Sequence, residues 1–156
     1  MEKYLETFTR AVTDVFSEIG FSEITLKESD YRHASSEVVA NIGLTGDLQG
    51  YLLLRADLKS AKRFIDKMLT NMSMETDEQE FGQFHKEALG EVLNQVSGRS
   101  TMNLQMEKVD CDITPPTIVT GQDIYYDITS MDASTYQEIS GDYGSIGLFV
   151  GIKKIR

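Results

Sequence analysis

The chain has one cysteine, Cys111, two prolines and no tryptophan. A lone thiol can form neither an intrachain disulfide nor a multi-cysteine zinc site, and it fits a reducing cytoplasm. Only two histidines occur, His33 and His85, and no Ser/His/Asp order is persuasive, so histidine-based catalysis has little to work with. Basic residues are scarce too: 15 Lys and Arg stand against 25 Asp and Glu, a formal charge of −10, and the phosphate-neutralising surface that nucleic acid requires is not supplied overall. No run approaches the roughly 20 apolar residues of a membrane span. Met1-Glu2-Lys3-Tyr4 begins an acidic amphipathic stretch rather than a signal peptide. These absences read as a cytoplasmic protein that binds neither nucleic acid nor membrane.

What remains is ordinary globular composition, 40% hydrophobic and 26% charged over 156 residues, enough for a single domain spanning 1–156 with a substantial core. Tyr4, Leu5, Phe8, Val12, Val15, Phe16 and Ile19 recur at helical spacing and Gly20 follows as a stop, which predicts a helix over Glu2–Ile19. Glu37 to Leu44 and Gly50 to Ala56 are strand-like, and Thr45-Gly46-Asp47 supplies the turn of a hairpin. Asp57 can cap a second helix that carries Ala61, Phe64, Ile65, Met68, Leu69 and Met72 on one face, and the polar stretch Ser73 to Thr76 then breaks the pattern. Asp77 with Glu80 reads as a capping box for a long third helix through Phe81, Ala88, Leu89, Val92 and Val96 to about Gly98 or a little beyond. Strand-like segments follow at Ile118–Thr120, Ile124–Thr129, Tyr136–Ser140 and Ile146–Ile155, separated by Pro115-Pro116 and by Gly141-Asp142-Tyr143-Gly144.

Leu44-Thr45-Gly46-Asp47 with Tyr51 to Leu54 is echoed by Ile139-Ser140-Gly141-Asp142 with Ile146 to Phe149, each copy downstream of an amphipathic helix. Two hairpins of one design suggest an internal duplication, although turn chemistry alone produces such matches. Helices grouped and strands adjacent predict an α+β fold, a mostly antiparallel sheet packed with long amphipathic helices, over a doubly wound parallel one.

Few residue sets could carry chemistry. His85-x-Glu87-x-x-x-Glu91 is a poor metal set, since positions 85 and 87 do not share a helix face, and it reads as solvated helix surface. Gly141-x-x-Gly144-x-x-Gly147 lacks dinucleotide-fingerprint spacing and lies in a predicted hairpin. The third helix differs. Glu87, Glu91, Asn94 and Gly98 fall on one narrow stripe, with Ala88, Leu89, Val92 and Val96 on the opposite side. An ordinary polar face explains a Glu-x-x-Asn pair on composition alone. Yet Asn is an indifferent helix former, and Gly90 and Gly98 each cost about 1 kcal/mol relative to Ala. Such a grouping needs a reason, such as close approach by another molecule.

Glu91-Val92-Leu93-Asn94-Gln95-Val96-Ser97-Gly98 resembles the E-x-x-N-x-x-x-G signature of the CheC/CheX/FliY family of bacterial chemotaxis phosphatases. Asp112-Ile113-Thr114-Pro115-Pro116-Thr117-Ile118-Val119-Thr120-Gly121 resembles a stretch of the CheX branch, and Gly43-Leu44-Thr45-Gly46 extends the likeness across most of the chain. The CheC type carries two E-x-x-N helices. Here the first helix pairs Glu2 with Leu5, Glu6 with Thr9 and Glu18 with Phe21, so the likeness is to the single-site CheX type.

The resemblance implies a CheC-like fold, a homodimer, and hydrolysis of the aspartyl phosphate on a phosphorylated CheY-type response regulator. It implies that Asn94 orients the attacking water and that Glu91 pairs with the regulator's lysine beside the phosphoaspartate. Mg²⁺ is then expected in the partner regulator, and this chain binds no cofactor. One position departs from the pattern: Glu87 stands four residues before Glu91, where the family usually has Asp or Ser. It adds a negative charge one turn away, which leaves open a module that docks on a regulator or flagellar switch component without hydrolysis. For the dimer, Tyr125, Tyr126 and Tyr136 lie in predicted strands rich in polar positions and suit an edge that pairs with its mate.

Overall fold

The structure, a computed structural model, describes residues 1–22, 24–29, 36–124 and 131–155. Three helices and seven strands follow one another as α1 (Glu2–Glu18), β1 (Thr25–Glu28), β2 (Ser36–Gly46), β3 (Leu48–Ala56), α2 (Leu58–Asn71), α3 (Gln83–Met106), β4 (Cys111–Ile113), β5 (Thr117–Ile124), β6 (Ala133–Gly141) and β7 (Gly144–Lys154). Every pairing among the described residues is antiparallel, in the order β1-β6-β7-β3-β2-β4, with β5 also on β2. The sheet reads symmetrically outward from its β3–β7 centre, because each central strand is followed by its hairpin partner and then by an edge strand. Both predicted hairpins are present, and the predicted α+β antiparallel class holds.

The long strand β2 serves two partners along one side. Its Leu44–Gly46 end pairs with β4, and its Ser36–Asn41 stretch pairs with β5. Between them lies Thr114-Pro115-Pro116, where proline has no N–H to give a ladder. Thr114 takes over: its Oγ1 accepts from the Gly43 N–H at 2.8 Å, and its own N–H donates to Gly43 O at 3.0 Å.

All three helices cover one face of the sheet. Val38, Ala40, Ile42 and Leu44 of β2 point into that core with Leu52 and Leu54 of β3 and Leu148, Val150 and Ile152 of β7, as a two-residue period requires. Phe16, Phe21, Phe64 and Tyr143 fill the junction of α1, α2 and the β6–β7 turn, with ring centroids 4.8 to 6.0 Å apart. A smaller cluster of Val39, Leu53, Tyr136 and Phe149 occupies the other face. Among the described residues, no helix is long and apolar enough to cross a membrane.

The helix ends follow one rule. Beyond α1, Gly20 at φ +98° lets the Phe21 N–H reach Phe16 O at 2.8 Å and the Gly20 N–H reach Ser17 O at 3.1 Å. The same closure ends α2 at Ser73 (φ +59°) and α3 at Lys108 (φ +65°), residues that seldom take this conformation. The third helix therefore runs through Gly98 to Met106, two turns beyond the expected end. Asp57 caps α2 as expected, its Oδ1 accepting from the Ser60 N–H at 2.6 Å.

Tyr125 and Tyr126, and residues 125–129 of the expected strand from Ile124, lie outside the described residues. Tyr136 is not on an edge: β6 sits between β1 and β7, and the ring is 4% exposed. Its hydroxyl donates to Glu138 Oε1 at 2.5 Å and accepts from Arg55 Nη1 at 3.3 Å, and burial pushes its pKa well above the ordinary tyrosine value. Strands β1 and β4 were not anticipated, since four and three residues are too short for a period-two pattern to register.

Candidate functional site

The start of α3 is held by a residue outside it. The helix begins at Gln83 rather than near Asp77, and Glu78 covers its end, with Oε1 accepting from the Phe84 N–H at 3.4 Å. A carboxylate there offsets the positive end of the helix dipole. Gly82 leaves room for it, since a Cβ at that position would lie 2.5 Å from Glu78 Oε2. His85 is fully buried beneath, which corrects the expectation of solvated surface. Its Nε2 donates to Asp66 Oδ1 at 2.9 Å, and Nδ1 lies 3.0 Å from Glu78 Oε2. Partial burial works against the Asp66 carboxylate, yet Lys62 and His85 outweigh it and hold its pKa below the ordinary aspartate value. The two carboxylates sit on opposite ring nitrogens, so this is a clamp between α2 and α3. Among the described residues, no group of three or more His, Cys, Asp or Glu converges as a metal site would.

Past this clamp, α3 buries Leu89, Val92, Leu93, Val96 and Leu104 and turns the predicted stripe outward. Glu87 and Glu91 are exposed, and Asn94 and Gly98 are half-buried. Gln83 Nε2 donates to Glu87 Oε1 at 3.3 Å and Gln95 Nε2 to Glu91 Oε1 at 3.4 Å, both from the same helix. Neither glutamate meets a lysine or arginine among the described residues, and there the Asn94 carboxamide has no hydrogen-bond partner. Residues three apart on a helix have Cβ atoms roughly 5–6 Å from each other. The face thus offers two carboxylates that meet no cation there, Glu87 and Glu91, and, a turn on from Glu91, a neutral group that can both donate and accept.

The two glycines of α3 have different explanations. A Cβ on Gly90 would lie 3.0 Å from Ile118 Cδ1 and 3.5 Å from Pro116 Cγ. Close approach by another molecule, the reason expected from sequence, is therefore wrong for Gly90: the chain's own β4–β5 connection packs there. The Asp112–Gly121 stretch accordingly supports the site helix from one side, fastened at Gly43 by Thr114 and at Gly90 by Pro116 and Ile118. A Cβ on Gly98 would meet nothing within 4 Å.

The helix α1 makes a useful reference. Glu6 is exposed and Thr9 half-buried, the same exposure as Glu91 and Asn94, but the Thr9 hydroxyl donates to Leu5 O at 3.3 Å and Thr13 occupies the position that Gly98 holds in α3. The two helices pack together, and Arg99 reaches across with a forked contact to Glu18 Oε1 and Oε2 at 2.6 and 2.7 Å. Sequence reasoning missed the exposed Met102 and Met106 of the last two turns, because it closed the helix near Gly98. Continuing the four-residue step from Asn94 and Gly98 would have found both.

The family model for chemotaxis phosphatase CheX matches residues 38–140, a span that contains Glu91, Asn94, Gly98 and the Asp112–Gly121 stretch. The CheY-P phosphatase CheX of Thermotoga maritima is 29% identical over 108 residues, 68% of this chain and 67% of that protein. A CheC-like superfamily protein from a Shewanella species superposes with a TM-score of 0.81 at 18% identity, covering 96% of this chain and 97% of that one. A chain from the CheX-CheY-BeF3-Mg complex of Borrelia burgdorferi superposes with a TM-score of 0.80 at 22% identity, covering 97% and 98%. At these identities the structural likenesses concern the fold.

Proposed function

The chain belongs to the CheX family of chemotaxis phosphatases, and on that premise we propose that it hydrolyses the aspartyl phosphate of a CheY-type response regulator, with Glu91 and Asn94 as the residues that act. The observation that carries the reading is the open face of α3, where, among the described residues, a carboxylate without a cation and an amide without a partner stand one turn apart. An acyl phosphate already has a good leaving group, so the task is to place water in line rather than to supply a nucleophile. The water oxygen forms its bond to phosphorus as the bond to the aspartyl oxygen breaks, releasing inorganic phosphate and the free carboxylate. Asn94 can hold that water through its carbonyl or amide group, and its neutrality avoids repelling the phosphoryl oxygens. Glu91 fits a charge-assisted bond to the regulator's lysine, which fixes the approach of the two proteins. Mg²⁺ belongs to the regulator in this reading.

Release of phosphate from a phosphorylated CheY-type regulator, with and without the protein, tests it. Asn94→Ala should lose most of the acceleration, on the order of a hundredfold, while folding stays nearly intact because the side chain bonds nothing among the described residues. A variant at full rate would remove Asn94 from the mechanism.

Glu87 favours a second reading, a docking module without turnover. It is exposed one turn before Glu91 and, among the described residues, has only Gln83 to bond it, so its charge faces any partner. If it merely replaces a small polar residue, Glu87→Ser should change the rate by less than about threefold, since exposed charges are worth under about 1 kcal/mol. A large gain from a silent wild type would favour docking alone.

Cytoplasmic location and a homodimer complete the proposal. Strand β5 is an edge of the C-terminal half: it pairs only with β2 among the described residues, and Val119 is 45% exposed on it. Pairing with its symmetry mate would satisfy that edge and leave both α3 faces open. Light scattering that gives a monomer at micromolar concentration would reject it.

A further inference from the structure

Glu91 and Asn94 are too small a target for one folded protein to recognise in another. A stable interface covers about 800 Å² on each partner, some 20–30 residues, so the pair must sit inside a larger patch. Along α3 toward its N-terminus the face is acidic and polar, through Glu87 and Gln83. Toward the C-terminus it changes character. Gly98 follows Asn94 by one turn, and Met102 and Met106 follow at the same step, 64% and 84% exposed. At 1.5 Å per residue, Met102 lies about 12 Å and Met106 about 18 Å beyond Asn94 along the axis, within the span of a standard footprint.

We infer that this C-terminal run of α3 is the apolar half of the regulator's docking surface, with Gly98 kept bare so that the regulator's backbone can reach the water held at Asn94. The inference rests on the phosphatase reading above and adds to it a clearance position and two anchors. Gly98 needs explaining because the fold does not use it. Glycine inside a helix is destabilising, and here no neighbour would clash with a Cβ. Gly90, eight residues earlier on the same helix, shows what an internally required glycine looks like, with Ile118 and Pro116 against it. An unoccupied bare position next to the reacting group is what a close partner requires. The methionines suit the remainder, because a thioether side chain is flexible and moulds to an apolar surface at little cost. The occupant is the regulator rather than a second copy of this chain, since the four-residue row that carries Met102 and Met106 starts at Asn94, which the regulator must reach, and drifts by only about 40° at each step.

The test separates affinity from turnover, using a CheY-type receiver domain loaded with beryllofluoride and Mg²⁺ for binding, and the same domain phosphorylated for kinetics. Met102→Gln with Met106→Gln should weaken binding about tenfold or more, leave the rate at saturation within about twofold, and leave the melting temperature unchanged because both side chains are exposed. Gly98→Ala should raise the melting temperature by about 2–4 °C, and Gly98→Leu should weaken binding at least as much as the methionine pair. If these variants bind as wild type does while Asn94→Ala still abolishes turnover, the inference is overturned and the phosphatase reading stands. If the methionine pair instead converts a dimer to a monomer, the patch belongs to a second copy and the inference falls. A wild type that neither binds nor dephosphorylates the receiver defeats the reading beneath both.

Discussion

The helices α1 and α3 are close counterparts, yet only one carries a site. Each precedes one of the two hairpins, each buries a stripe on the same face of the sheet, and each shows an exposed glutamate followed three residues later by a half-buried polar side chain. In α1 that side chain is Thr9, whose hydroxyl is spent on its own helix backbone, and the next turn bears Thr13. In α3 it is Asn94, which bonds nothing among the described residues, and the next turn is bare at Gly98. Placement on the outer face is therefore common to both helices. What distinguishes the site is an uncommitted amide with clear space beside it.

Removing the carboxylate one turn before that amide should produce the largest contrast. Glu91→Ala is expected to lower kcat/KM by the equivalent of about 2–5 kcal/mol, the range found when one member of a desolvated charge pair is truncated. Glu6→Ala in α1 should leave it unchanged, and steady-state kinetics on the two variants would show whether the helices differ as argued.

The support beneath the site should respond through stability instead. Gly90→Ala places a Cβ 3.0 Å from Ile118 Cδ1. The Ile118 side chain must then give by a few tenths of an ångström against its own packing, at a cost of about 1–3 kcal/mol in denaturant unfolding. A gain in stability, as expected at Gly98, would mean that the side chain yields freely and that the two glycines are not distinguished by packing.

The smallest effect sharpens the comparison most. Thr9→Asn writes Glu-x-x-Asn into α1 at matching exposure, but Thr13 keeps its side chain in the next turn. Phosphate release should rise by less than about twofold, because the amide gains no clearance for a partner. A doubling or more would show that Glu and Asn suffice without the bare turn.

Much of this was legible in the chain. The apolar periods placed α1 and α2, with Gly20 and Asp57 at their boundaries, and the turn residues located both hairpins. The 91–98 signature picked out Glu91, Asn94 and Gly98, and the outward direction of their stripe followed from 3.6-residue periodicity. Other features were not legible for definite reasons. The start of α3 depends on Glu78, which reaches it across several residues of irregular chain, so a local capping pattern at Asp77 and Glu80 misled. The end of α3 depends on Lys108 at positive φ, a conformation its side chain does not announce, whereas Gly98 looks like a stop and is not one. His85 looked like a surface residue because its partners are 19 residues back in α2 and seven back in the preceding loop.

The sequence by itself determined α1, α2, the two hairpins and which outer stripe of α3 carries an amide, because these follow from short-range periodicity and side-chain chemistry. Only the tertiary structure decided which glycine is filled by the protein and which is left open. That distinction depends on whether Pro116 and Ile118, far along the chain from either glycine, come to rest against the helix at Gly90 or at Gly98. Contacts between residues so far apart are set by the pairing of β5 with β2, which no local pattern in α3 encodes.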